Sequence, residues 1–593
     1  METTIETQVE KRNAVSVETG LYLLALGIAL LMRLAALGQH PLSEVEAGFA
    51  WQAWQAARGE SFQMLGQPAY IQPTAGLFFL LGSGDVIARL LPAVVGSAVI
   101  LFPYLLRERI GQKAALAAAF GLALDPISIA VSRQAGSPAI ALGFLALALY
   151  LYQRRRPLAA GFFLGMLLMS GISFVFGLLA GLLSFAAIWF ISREDFSFEL
   201  DAQDRRLLLS GAGIALLLVG TLLTLEPQGL AAMLQAVPEF LGGWLGSEEP
   251  SRVSVLQGLA ALLIYQPMAV LFGVLAWFNR RIQNTENTAL ATVFLIAFGL
   301  ILLYPARQVW MLMWAVVPLW LLAGQMISAL LSPPEEQDRL LVWGEAVFYV
   351  VLLAYWWGNF SKQAAASGFS LPEGVILWEY LSVDPNARVY FIRLLVSVFI
   401  PLLVVLMTVF VSWGWPGDAP LKGTSWGVGA FLVFYVVMAG WGFSRPPELL
   451  ANEVWQRAPS IGYTDEMLAA IEEASVQITG SEDALQLVYT IDSPLVHWLL
   501  RDLPNAEYRA EVLPNQLPDV ILNQDPSFSE SDAGQFYAGQ HFSLTMTPQW
   551  GGQPLPTDTD RWLVFREAAV SKEWAYLWTR ADLFPLYEPA PAE

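Results

Sequence analysis

Apolar blocks of roughly 17–25 residues recur along most of this chain, and their recurrence constrains the fold more than any other feature. Each is long enough, as a helix, to cross a hydrocarbon core about 30 Å thick. They lie at 20–38, 87–106, 113–132, 137–153, 157–170, 171–192, 206–225, 254–278, 287–304, 307–329, 340–357, 388–412 and 424–443. The expected fold is an all-α polytopic transmembrane bundle of about thirteen spans over residues 1–445. Only 14% of the 593 residues are charged, against about a quarter in soluble chains. Uniformly apolar blocks also exclude the alternating pattern of a membrane β-barrel. Residues 1–18 lack the basic start and cleavage site of a signal peptide, so the first block is expected to persist as a span.

The linkers "RERIGQK", "QRRRP" and "NRRIQN" are basic and fall after the second, fourth and eighth blocks. Basic linkers favour the cytoplasmic side. This puts the N-terminus inside. The first loop (about 39–86), the acidic "GSEEPS" and everything after the thirteenth block then lie outside. Residues 446–593 change character. Strand-length segments ("LQLVYT", "DVILN", "HFSLTM", "RWLVF") alternate with helix-like ones ("TDEMLAAIEEAS", with Thr464 as N-cap, and "SPLVHWLLRD"). They predict an extracytoplasmic α/β domain, with "LYEPAPAE" as a disordered tail.

The net charge of -19 excludes a nucleic-acid partner. The chain has no cysteine, and its three histidines are scattered. No ligand spacing demands a metal, although carboxylates on the outer loops leave a divalent ion possible.

The first outer loop opens "QHPLSEVEAGFAW". Glu44 and Glu46 stand at its helix-like start, and Ser43 is a candidate N-cap. Two readings are open for these acids. They start an interfacial helix, where the helix dipole favours them, or they do chemistry at the membrane surface. Four arginines map near the same face: Arg33, Arg89, Arg133 and Arg307. Each alone could snorkel to the interface. Together they suit an anionic lipid phosphate, which guanidinium groups bind through charge-assisted contacts. Weaker candidates are Asp125, Glu239, Trp244, Glu248, Glu249, Glu373, Trp378, Glu379 and Tyr380. A transporter would instead show broken spans and mid-membrane charge.

The order of "MRLAALG", "PLSEVEAGFAWQAW", "GSGDVIARLLPAVVG" and "ALDPISIAVSRQ" resembles the GT-C superfamily of polytopic glycosyltransferases. The likeness is to the protein O-mannosyltransferase and aminoarabinose-transferase type, and within it to a prokaryotic flippase-associated glycosyltransferase subfamily. "YPARQVWMLMWAVVPLWLLAG" and the tail's "IDSPLVHWLLRDLP" extend the likeness over most of the chain. The resemblance implies an inverting-type transferase. It would move a sugar from a polyprenyl-phosphate carrier to a glycan, lipid or protein acceptor outside the membrane. The carboxylates Glu46 and Glu44 would serve catalysis, and the arginines would hold the lipid phosphate. Two departures stand out. The family's catalytic aspartate falls on Val45, and a second acid expected after "SR" falls near Ser137. A catalytically divergent protein that binds, flips or transports lipid-linked glycans is the alternative.

Overall fold

The computed structural model describes residues 16–64, 66–192, 201–223, 227–246, 252–279, 284–366, 377–415, 417–456, 459–512, 518–528, 537–550 and 553–583. The expected disordered tail "LYEPAPAE", residues 586–593, lies outside them. The protein is a mostly helical, multi-pass membrane chain with a sheet near its C-terminus.

Among the described residues, eight helices are long and apolar enough to span: Val17–Leu34 (α1), Asp85–Ile110, Ile172–Ile191, Thr285–Leu303, Val309–Leu330, Glu336–Ala365, Pro385–Gly414 and Ala419–Ser444. Two further pairs are bent, Gln112–Leu124 with Pro126–Ser132 by 51° and Val255–Tyr265 with Pro267–Phe278 by 90°. Against the thirteen expected spans, the described residues thus hold eight helices of spanning length and composition, or ten if each bent pair counts as one. Helices do form at the other expected positions, but they are short. Ala139–Gln153 has 15 residues and Pro157–Leu168 has 12, or about 22 and 18 Å at 1.5 Å per residue. Ala202–Leu218 has 17 residues and starts with a charged turn. Hydropathy alone does not separate such helices from full spans.

Both bends sit at an X-Pro step. Proline has no N–H and pushes the residue before it out of helical geometry. Asp125 accordingly takes an extended conformation, and its carboxylate caps the second half by accepting from Ser128 N at 2.7 Å. Trp320 Nε1 donates to the same carboxylate at 2.9 Å from the Val309–Leu330 span. That span is the centre of the bundle, 83% buried, whereas Pro385–Gly414 is 11% buried and leaves its apolar side chains to the lipid.

The link from α1 to the next span carries helix Glu44–Arg58 (α2), and helix Gln228–Trp244 (α3) lies further along. Near the C-terminus, six strands form one mixed sheet: β1 (Ser460–Ile461), β2 (Leu487–Tyr489), β3 (Ala506–Tyr508), β4 (Val520–Asn523), β5 (Tyr537–Pro548) and β6 (Val570–Arg580). Their order is β1-β5-β6-β4-β2-β3, with β2 parallel to β3 and β4 and the other pairs antiparallel. The strand expected at "RWLVF" is a helix, Thr559–Phe565, whose Trp562 is fully buried. A short apolar run does not distinguish a strand from a buried helix. The helix at "TDEMLAAIEEAS" is present, but Thr464 is its first residue rather than its cap. The cap position is Tyr463, without a side-chain bond.

Two attachments fix the sheet to the bundle. Helix Pro494–Leu499 (α4) packs on α2, and Trp498 Nε1 donates to Asp85 Oδ1 at 2.8 Å. On the other side Glu453, whose side chain is 1% exposed, accepts from Arg445, Arg566 and the Tyr265 hydroxyl.

Candidate active site

The start of α2 is built by a capping box. Ser43 Oγ accepts from Glu46 N, and the Glu46 carboxylate accepts from Ser43 N at 3.0 Å. This satisfies two otherwise orphaned amides and fixes where the helix begins. Successive helical residues turn by about 100°, so the next three side chains reach three different surroundings.

Glu44 turns toward the sheet. Ser493 Oγ donates to its two oxygens, at 2.9 and 2.7 Å. Burial raises the Glu44 carboxyl above its ordinary value and the Glu573 carboxylate adds to this, against the pull of the Ser493 hydrogen bond and of His497. A raised acid makes a contribution to stability that is present below its unfolded value, about 4.3, and lost as pH rises through the folded one. Glu44→Gln is therefore expected to leave stability at pH 7 unchanged or slightly higher. It should also flatten the decline between acidic and neutral pH, as read from unfolding midpoints across that range.

Glu46 turns inward and is 2% exposed. Arg89 grips it with Nε to Oε1 at 2.8 Å and Nη2 to Oε2 at 3.0 Å, and Ala135 N and Ser43 Oγ donate to it as well. Burial by itself would raise this carboxyl; the Arg89 guanidinium outweighs burial and holds it below its ordinary value. The other Arg89 donors reach the carbonyls of Leu37, His40 and Pro41. Arg133 works alike: Nη1 and Nη2 donate to the carbonyls of Met32, Arg33, Ala35 and Ala36, and the group stacks on Phe443 at 3.6 Å.

Arg33, fully buried, donates from Nη1 to Ala29 O and Ala123 O. Arg33, Arg89 and Arg133 thus converge on the exit of α1, where most of their hydrogen bonds go to backbone. Arg307 is elsewhere. Its Nη1 donates to Val253 O at 3.3 Å, its Nε has no partner, and burial and then Arg252 lower its pKa.

Val45, between the two acids, faces a cavity of about 210 Å³. Gln67, Glu239 of α3, Tyr304, Gln308 and Trp310 share its wall. Phe49 lines it one turn along α2 and packs against Gly136, whose φ of +61° and lack of a side chain leave room for the ring. Trp310 Nε1 donates to Gln308 Oε1 at 2.7 Å, which orients that amide. The cavity offers amide groups, aromatic faces and one carboxylate.

The remaining sequence candidates are dispersed. Asp125 is the helix cap described above, and Ser137 Oγ donates to Val131 O and accepts from Ala139 N. Trp244 packs edge-on against Tyr304, and Trp378 is exposed. Glu248, Glu249 and Glu373, and the side chains of Glu379 and Tyr380, fall outside the described residues. Among the described residues no three acidic or histidine side chains gather where they could hold a metal ion.

No protein-family model and no curated protein sequence matches the chain. Solved structures do. ArnT from Cupriavidus metallidurans in the apo state superposes with a TM-score of 0.50 at 15% identity, over 86% of this chain and 94% of that one. The chain has the ArnT fold. The same ArnT bound to undecaprenyl phosphate matches at 0.49 and 15% identity, over 89% and 96%. The oligosaccharyltransferase of Archaeoglobus fulgidus matches at 0.38 and 13% identity, over 83% and 64%.

Within the ArnT-like arrangement the sequence carried one signal that identifies the role of Glu46. Ser43 and Glu46 form an S-x-x-E capping box. Nothing local signals that Gln67, Gln308 and Trp310 meet Val45, because they come from distant segments.

Proposed function

We propose that this protein transfers a sugar from a polyprenyl-phosphate carrier to an acceptor hydroxyl at the outer face of the membrane. The observation that carries the reading is the cavity beside Val45, at the start of α2, in a chain with the ArnT fold. Its 210 Å³ has room for several waters or a small polar ligand. The aromatic side chains suit a sugar ring's apolar face, and the amides of Gln67 and Gln308 suit its hydroxyls. Undecaprenyl phosphate, the lipid bound to ArnT in one crystal structure, is the carrier class we assign. Arg307, between the cavity residues Ala306 and Gln308 and near Arg252, is the cation placed to meet the departing phosphate.

In this reading Glu46, Arg89 and Arg133 position the loop after α1 and the first turn of α2. The six-stranded sheet, docked through Ser493 on Glu44, lies on the acceptor side. The two broken spans favour a second reading, carriage of the lipid-linked sugar across the membrane.

The deciding experiment supplies the purified protein in proteoliposomes with a panel of polyprenyl-phosphate-linked sugars and candidate acceptors. Transfer by the wild type, with Arg307→Ala reducing it by tenfold or more, is expected. Movement of the intact carrier between leaflets without transfer would support the transport reading instead.

A further inference from the structure

Sugar transfer at a hydroxyl needs a proton acceptor, and Val45 cannot serve. Its neighbours do not substitute for it. Neither Glu44, which meets Ser493, nor Glu46, which Arg89 holds, lines the cavity. The cavity that Val45 lines does contain an acid. Among the described residues that line the cavity, Glu239 is the one carboxylate, and it is solvent-exposed rather than buried in the protein.

The turn that bears it is held firmly. Tyr304, itself a cavity residue, stacks on Phe240 with ring centroids 4.9 Å apart and an angle of 12°. Its hydroxyl donates to Phe240 O at 3.1 Å, and Trp244 closes on its edge at 5.4 Å. A hydroxyl donating into the backbone beside Glu239, with rings packed on either side, fixes α3 against the segment 304–310 that supplies the other cavity groups. This is the kind of support a reacting side chain needs to hold its position.

We propose that Glu239, which lines the same cavity as Val45, is the general base that activates the acceptor there. The inference rests on the transferase reading above. In the step, the acceptor oxygen forms a bond to the anomeric carbon of the sugar while its proton passes to the Glu239 carboxylate. The bond from that carbon to the carrier phosphate oxygen breaks, and its electron pair stays on the phosphate. The products are the glycosylated acceptor, polyprenyl phosphate and a protonated Glu239 that returns its proton to water. No other reactant is required. A base contributes typically 10²–10⁴-fold.

The test compares wild type, Glu239→Gln, Glu239→Asp and the double variant Val45→Asp with Glu239→Gln, all as full-length protein in proteoliposomes. Steady-state transfer is measured against pH, alongside thermal unfolding and binding of polyprenyl phosphate. Glu239→Gln is expected to lower kcat at least 100-fold. The KM for the carrier should change by less than about threefold, and the acidic limb of the pH profile should disappear. Glu239→Asp should keep that limb at a reduced kcat. Val45→Asp should restore much of the rate lost in Glu239→Gln, because it supplies a carboxylate to the same cavity. A merely structural role would produce no such rescue.

Transfer by Glu239→Gln at the wild-type kcat would overturn the proposal alone. So would a loss confined to KM, which would mark Glu239 as a sugar-binding group. Wild type that transfers no sugar would overturn the functional reading, and this inference with it.

Discussion

Arg89→Ala is expected to destabilise the protein by about 3–5 kcal/mol at neutral pH, the usual cost of removing one partner from a buried ion pair. Glu46 is then left 2% exposed without a counter-ion, and the carbonyls of Leu37, His40 and Pro41 lose their donors. The pH dependence identifies the cause. In the wild type Glu46 is held below its unfolded value, so its contribution is present above about pH 4.3 and is lost as pH falls through the folded value. In Arg89→Ala the attraction is gone and burial remains, so the carboxyl rises and protonation relieves the strain. The gap between variant and wild type should therefore narrow on acidification. A double variant, Arg89→Ala with Glu46→Gln, should recover part of the loss at pH 7. Denaturant unfolding of the purified protein across pH 4–8 checks all three outcomes. A gap that stays constant with pH would mean the arginine acts only through its backbone contacts.

Glu453→Ala is the second large effect, again about 3–5 kcal/mol. Glu453 joins the bundle to the sheet: its side chain is 1% exposed and meets Arg566 at 3% exposure, Arg445, and Tyr265 at the bend of a broken helix pair. Arg566 also holds a left-handed backbone conformation, φ +61°, after the Thr559–Phe565 helix. Removing Glu453 leaves the buried Arg566 without a carboxylate, held by the Trp562 and Leu563 carbonyls and the Tyr435 side chain. Hydrogen exchange should therefore accelerate in residues 553–570 well before it does in the Val309–Leu330 span. Uniform acceleration through both would show that Glu453 supports the whole fold rather than the attachment.

The bundle could be read from the sequence because lipid requires long apolar helices, and that requirement leaves a strong local record. The number of spans could not be read as well. Ala139–Gln153 and Pro157–Leu168 are apolar enough but too short, and only their neighbours decide that they stop. "RWLVF" became a helix because tertiary packing around Trp562 overrode its strand-like composition. At the candidate site, Glu44 and Glu46 attract notice as charges in an apolar context. Helical rotation then sends one to the sheet and the other to Arg89, and directions that differ by about 100° per residue are hard to judge without knowing what surrounds the helix. The four arginines looked alike on paper. Three converge on the exit of α1, whereas the fourth, Arg307, pairs with residue 253 between two residues that line the cavity, Ala306 and Gln308.

Glu44, Val45 and Glu46 place the sheet, the cavity and the buried arginine on three sides of a single helical turn. Helix α2 has 15 residues and is thus about 22 Å long. If Trp51, which stacks on His497 of α4, is carried along by the sheet, a tilt of 5° displaces one end of α2 by about 2 Å relative to the other. Taken about the Glu46–Arg89 pair, the same tilt moves Phe49, about 4.5 Å along the axis, by about 0.4 Å and Val45 by less. The anchored start of α2 therefore keeps the cavity wall still while the far end of the helix follows the sheet.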